Sequence, residues 1–361
     1  MKKGMKKTIS LLLALGTLLS FSASANGVEV QKDVAREQFE QLLPAIMATP
    51  DKFGINSNNI DTLYMGDMIA AYEQTGNSLQ TIENKVFPVF CDQQVVGIFT
   101  EAITEDGEVF YNYGVEFAKE LNEFIKSHGT EISIVYTDEA VYGVAQDGTM
   151  TCLQQLTSTA SNISKSSLSL ERLDISVVEP EKILPVHKIS APTTAAVASG
   201  EYKTINVPYV SQRGPVCWAA CMASWINYKT GSNLEAYQVV AKCQPNAPSA
   251  GASVSQVASY LKKYYGISAY SSNVTLNYTD LYWQINANKA VFFSGYATGS
   301  GDARHMVLAY GYYKDLNTLT ESFYYMEPNT GFKVGTFTSS GPKFQISAQQ
   351  TYVQDQAVFL N

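Results

Sequence analysis

The stretch Val207-Pro208-Tyr209-Val210-Ser211-Gln212-Arg213-Gly214-Pro215-Val216-Cys217-Trp218-Ala219-Ala220-Cys221-Met222 joins a turn-forming Gly-Pro pair to a cysteine that opens an Ala-rich, helical run. A cysteine in the first turn of a helix feels the positive end of the helix dipole, which favours thiolate over thiol. Thiolate is the nucleophilic form, so covalent chemistry is expected at Cys217. The residues behind it, Trp218 to Ile226, are apolar nearly all round, the pattern of a buried helix. Gln212, five positions upstream, carries an amide that suits a developing oxyanion together with the N–H of Cys217.

A thiol needs a base, and His305 is the one histidine of the C-terminal half. It follows the loop Gly295–Gly301 and opens the strand-like run His305-Met306-Val307-Leu308-Ala309-Tyr310. From a strand start an imidazole can take the thiol proton and return it to a leaving amine. Downstream, Phe323-Tyr324-Tyr325-Met326-Glu327-Pro328-Asn329 reads as a strand ending in polar residues; Glu327 or Asn329 would accept from the second ring nitrogen. The spacing of Cys217, Cys221, Cys243 and His305 also permits a zinc site, but structural zinc sites favour short loops over an apolar helix between ligands. No metal and no cofactor are expected.

Gln212-x4-Cys217-Trp-Ala-Ala-Cys221, then His305-Met-Val-Leu-Ala-Tyr-Gly-Tyr312, then Glu327-Pro328 resembles the papain-like cysteine peptidases. Within them it is similar to a short bacterial branch, the staphopains and the domains related to bacteriocin leader peptidases. The resemblance covers roughly residues 204–361 and implies an α+β, papain-like fold. In it a helical part carrying Cys217 packs on an antiparallel sheet or half-barrel carrying His305. The resemblance further implies Cys217 as nucleophile, His305 as base and Gln212 as oxyanion donor. Glu327 stands where Asn or Asp is usual, with Asn329 as the alternative. Two departures stand out. Gly214-Pro215-Val216 replaces a glycine-rich approach, and His305 follows Cys217 by only 88 residues, against about 130–150 in papain-type enzymes. The implied function is that of a secreted cysteine endopeptidase acting on protein or peptide substrates. It would be made as a zymogen whose N-terminal prodomain is an intramolecular inhibitor. The alternatives are a catalytically silent binding or adhesion protein on the same scaffold, and an acyl-transferring thiol enzyme of transglutaminase or amidase kind.

The flanking sequence is consistent with that expectation. Residues 1–25 read as a signal peptide, with Lys2, Lys3, Lys6 and Lys7, an apolar Ile9–Phe21 and a small-residue site Ala23-Ser24-Ala25. The apolar run is shorter than the roughly 20 residues of a membrane span. Export from a Gram-positive-type bacterium to the cell surface or beyond is expected, with no membrane attachment after signal removal. Residues 26–200 read as an α+β prodomain. A helix bears Val34, Phe39, Leu42, Leu43 and Ile46 and is kinked or stopped at Pro44; a meander covers 86–113, and a helix 115–127. Strands over 132–137, 140–145 and 149–156 then complete the sheet. His128 and His187 read as surface residues. A small-residue linker, 188–204, marks the boundary to a peptidase domain, 201–361. There helices are expected from Cys217, over 254–265 and over 278–288, followed by strands over 290–296, 305–313, 322–327, 335–337 and 356–360.

Charge changes across the boundary. Residues 26–200 hold 25 acidic and 10 basic residues, residues 201–361 hold 8 and 11. An overall charge of −8 argues against a nucleic-acid partner, and a monomer is expected. Export permits disulfides among the five cysteines; Cys91–Cys152 and Cys221–Cys243 are the natural pairs, leaving Cys217 free.

Overall fold

The computed structural model describes residues 26–361 apart from 56–59, 61, 76–77, 105, 138–139, 157–177, 179, 184, 190–199 and 299–302. The expected signal peptide and most of the expected linker lie outside the described residues. The first helix, α1 (Asn26–Ala48), runs through Pro44 instead of stopping there. Proline removes one N–H from the helix ladder, but Phe39, Leu42, Leu43, Ala45 and Ile46 are all buried around it and hold the last turns in place.

The N-terminal strands are β1 (Leu63–Gly66), β2 (Ala70–Thr75), β3 (Ser78–Thr81), β4 (Lys85–Cys91), β5 (Gln94–Ile103), β6 (Val109–Gly114), β7 (Glu131–Tyr136), β8 (Ala140–Ala145), β9 (Met150–Gln155), β10 (Glu181–Lys182) and β11 (Pro185–Lys188). β4, β5 and β6 form the expected antiparallel meander. Its first turn places Asp92 and Gln93 at φ 50° and 66°, the two-residue geometry that follows strand twist. The helix α2 (Ala118–His128) buries Ala118, Leu121 and Phe124. Here the expectation of one sheet fails. β7, β8 and β9 form a second sheet, ordered β3-β2-β7-β8-β9, with β2 and β7 parallel. β2 and β3, which precede α2, already belong to this second sheet, and α2 packs against β5 of the first sheet and β8 and β9 of the second.

The C-terminal half adds helices α3 (Cys217–Thr230), α4 (Ala236–Cys243), α5 (Val254–Tyr265) and α6 (Tyr278–Asn286). Its strands are β12 (Gly200–Thr204), β13 (Ala269–Ser272), β14 (Val291–Ala297), β15 (Arg304–Asp315), β16 (Glu321–Glu327), β17 (Gly331–Thr338), β18 (Gly341–Ser347) and β19 (Gln350–Leu360). The all-round apolar α3 is buried as its composition demands, packed on α4, α5 and β15. α4, β12, β13 and β18 were not expected, and β12 lies within the expected linker; α4 is only eight residues long, closed by a capping box between Glu235 and Gln238.

The strands run in the order β11-β1-β4-β5-β6-β17-β16-β15-β14-β19-β13. Strands from both sides of the linker therefore share one sheet. The junction is an antiparallel ladder between β6 and β17, with Lys333 opposite Gly114, Val334 opposite Tyr113 and Gly335 opposite Asn112. In the same sheet Leu308 faces Met326, which brings Glu327 to the end of the ladder where β15 starts, and His305 faces Gly295 of β14.

Gly295 has no room for a side chain: a Cβ there would stand 2.7 Å from the Val353 carbonyl oxygen and 3.0 Å from the Phe344 ring. Gly295→Ala is expected to lower stability by about 1–3 kcal/mol, the range for overpacking a closed interior, read as a fall in the urea midpoint. An unchanged midpoint would show that this strand gives way freely.

Candidate active site

α3 starts at Cys217 with no side-chain cap; Val216 precedes it, and Gly214 adopts φ 78° in the turn before. A left-handed φ is open to glycine at no steric cost, which explains the Gly-Pro pair at the approach. An uncapped helix start leaves backbone N–H groups and the positive helix end available near the sulfur. The Trp218 indole donates to the Ala250 carbonyl at 3.2 Å and fixes the outer wall.

His305, 5 % exposed, opens β15 and faces this helix end. Its Nε2 stands 2.7 Å from Glu327 Oε1, which leaves Nδ1 for the hydrogen bond with Cys217. Arg304, one residue earlier, makes a two-pronged bond to Asp355 at 2.8 and 2.6 Å and ties the strand start to β19. The Tyr352 ring packs beside the imidazole with centroids 5.4 Å apart.

Glu327 is fully buried, and its second oxygen is saturated. Oε2 accepts from the Asn329 N–H at 2.8 Å, the Thr330 N–H at 2.6 Å and the Thr330 hydroxyl at 2.7 Å. Asn329 Nδ2 approaches Oε1 at 3.5 Å. The two sequence candidates thus occupy different places: Glu327 meets the ring, and Asn329 braces Glu327. The longer glutamate side chain fits because the chain turns at once, over Pro328 to Thr330, and wraps the carboxylate in its own N–H groups.

Burial alone disfavours both charged forms of the Cys217–His305 pair, but their mutual attraction and hydrogen bond outweigh it. The Cys217 thiol is lowered and the imidazole is raised to about 10, with Glu327 adding to the latter. The backbone at Met306 and Trp218 adds to the lowering of the Cys217 thiol. The arrangement is a thiolate–imidazolium pair held from behind by a carboxylate.

One turn along α3, Cys221 is the opposite case. It is completely buried, its Sγ–H donates to the Met306 carbonyl at 3.4 Å, and its thiol is held well above the ordinary range by burial, with Cys217 and Glu327 adding to the shift. The expected disulfides are absent: none of the five cysteines is bonded to another. Cys221 turns toward β15 instead of Cys243, and Cys91 on β4 lies against the Thr62 hydroxyl at 3.6 Å, in a different sheet from Cys152.

Gln212 joins Cys217, Trp218, His305 and Asn329 in lining a cleft of about 670 Å³. Its backbone N–H donates to the Pro328 carbonyl at 3.0 Å, so the residue after Glu327 also positions Gln212. The Gln212 amide oxygen is buried without a partner. Leu156, from the far side of the linker, lines the same cleft, and Gln154 Nε2 donates to the Asn329 carbonyl at 3.2 Å. Thr330, Arg304 and Leu156 escaped the sequence reading; only Thr330 carried a signal, a hydroxyl three residues after a strand-end carboxylate. Among the described residues, no cluster of His, Cys, Asp and Glu is arranged to hold a metal ion.

With this geometry in place, the comparisons with known proteins are direct. Residues 204–351 match the model of the Peptidase_C39 like family, within the papain-like cysteine peptidase clan. No curated protein matches the chain. A crystal structure of UfSP from C. elegans aligns over 45 % of this chain and 34 % of its own, at 9 % identity and a TM-score of 0.26. The chain thus spans about a third of the length of that protein. Residues 204–351, less than half of the chain, are thus similar to the Peptidase_C39 like family, and they lie within a longer α+β chain.

Proposed function

We propose that this protein is a cysteine endopeptidase, exported and made as a latent precursor. The observation that carries the reading is the line Cys217–His305–Glu327, whose first two members line a cleft together with Gln212. The Cys217 thiolate attacks a peptide carbonyl carbon; the carbonyl oxygen, now negative, is received by the Gln212 side chain and the Cys217 N–H. His305 gives its Nδ1 proton to the leaving amine as the C–N bond breaks. Water, deprotonated by the imidazole, then attacks the thioester and frees Cys217. Glu327 keeps the ring oriented and favours its charged form. A silent binding scaffold would have no use for this buried, fully donated carboxylate behind the histidine.

Latency rests on the opposite side of the linker. Leu156 in the cleft and Gln154 on the Asn329 carbonyl put the end of β9 against the site. Residues 26–200 would act as an internal inhibitor until a cut within about 190–204.

Two outcomes follow. Cys217→Ala is expected to abolish casein hydrolysis and self-processing, Gln212→Ala to lower kcat by about 10²–10³-fold, and Cys221→Ala to leave most activity. Survival of hydrolysis in Cys217→Ala sinks the reading. The second outcome concerns pH. The ion pair forms once Cys217, its pKa lowered, has lost its proton, and persists until His305 loses its own near pH 10. Peptidase activity should therefore fall on both sides of that window, whereas iodoacetamide labelling of Cys217 should fall only on the acid side, because alkylation needs the thiolate alone. Glu327→Gln should draw the alkaline limb of the activity profile to lower pH; an unmoved limb would remove Glu327 from the proposed mechanism.

A further inference from the structure

The β6–β17 junction has a shape that two loosely docked domains would not require. Lys333 sits on β17 with no exposed side-chain surface, and opposite it Gly114 leaves room: a Cβ there would meet the lysine stem at 2.9 Å. Two residues on the roles reverse. Asn112 is the long side chain and Gly335 the vacancy, where a Cβ would stand 2.6 Å from the Asn112 Oδ1. Each strand carries the glycine that the other strand's side chain needs.

Buried charge closes the same junction. The Lys333 ammonium donates to the Glu116 carboxylate, itself 4 % exposed, and to the Ile346 carbonyl at 3.0 Å. Lys343, 1 % exposed, donates to Glu108, which also takes the Ser339 and Ser340 hydroxyls. The Tyr325 hydroxyl, buried beside β17, donates to Asn112 at 2.9 Å. Departure of the N-terminal half would leave Lys333 without its carboxylate inside the fold, the change that makes breaking a buried pair strongly destabilising. It would also bare aromatic surface. The Tyr324 hydroxyl donates to the Ala45 carbonyl of α1 at 2.6 Å, its ring faces Phe53, and Lys52 covers the Phe332 ring at 4.0 Å.

We infer that the N-terminal half is a permanent structural part of the C-terminal half, so that a cut in the linker yields a two-chain molecule and not a released fragment. The polar interlock, the continuous sheet and the α1 cover belong to one interior. Activation then consists of withdrawing Leu156 from the cleft, with β6, α1 and Glu116 staying in place. The inference does not rest on the peptidase reading, and its test uses a protein without the Cys217 sulfur.

In the full chain carrying Cys217→Ala, a site for a sequence-specific protease is placed at Ala195–Ala196 and cut to completion. The pieces are expected to co-elute in gel filtration at the volume of the uncut chain. All three tryptophans, Trp218, Trp225 and Trp283, lie in the C-terminal piece, so their fluorescence reports that piece alone. Its urea transition should stay single, and Glu116→Ala, a change confined to the N-terminal piece, should move its midpoint to lower urea. Separate elution of a C-terminal piece with native tryptophan emission would overturn the inference. So would a tryptophan midpoint indifferent to Glu116→Ala.

Discussion

A carboxylate with no exposed surface sits behind the imidazole, and the site is arranged around the need to satisfy it. An isolated buried charge costs several kcal/mol, so Glu327 must be surrounded by donors. His305 supplies one at 2.7 Å, and the turn from Pro328 to Thr330 supplies the rest. That requirement sets where the chain goes next: the Pro328 carbonyl is turned out to receive the Gln212 N–H and the Tyr209 hydroxyl. One electrostatic demand thereby positions the ring, the strand end and the loop leading to Cys217.

The same rule operates at the join between the halves, with a different result. Lys333 and Glu116 have no place in a surface designed for parting, since each is tolerable in the interior only while the other remains. An acidic N-terminal half and a mildly basic C-terminal half were visible in composition. The structure turns that difference into particular pairs: Glu116 with Lys333 and Glu108 with Lys343.

Legibility in the sequence followed the range of the interaction. The α3 helix, the β4–β6 meander and the helix over 254–265 came from local rules of periodicity and turns, and they stand. Cys217 and His305 were visible as residue types at element starts. The choice between Glu327 and Asn329 was not, because it depends on how a three-residue turn folds back on a side chain. The division into two sheets was hidden for a similar reason: β7 to β9 carry the same alternation whichever layer they join, and the long-range parallel pairing of β7 with β2 decides. Gly114 and Lys333 lie more than two hundred positions apart, and neither means anything until the ladder sets them face to face. The disulfide expectation failed because cysteine arithmetic ignores direction, and the Cys221 thiol faces a strand.

Met306 is a single residue that two sulfurs share. Its backbone helps to lower the Cys217 thiol and its carbonyl accepts from Cys221, so one amino acid stabilises an anion at one thiol and takes a proton-bearing bond from the other. The two cysteines stand one helical turn apart and are held in opposite chemical states. Below the ordinary thiol range, where the raised thiols of Cys152, Cys221 and Cys243 stay protonated and the Cys217 thiol is lowered, the molecule has a built-in chemical address. A fluorophore or affinity handle on a mild electrophile can be directed to Cys217 without deleting those three cysteines.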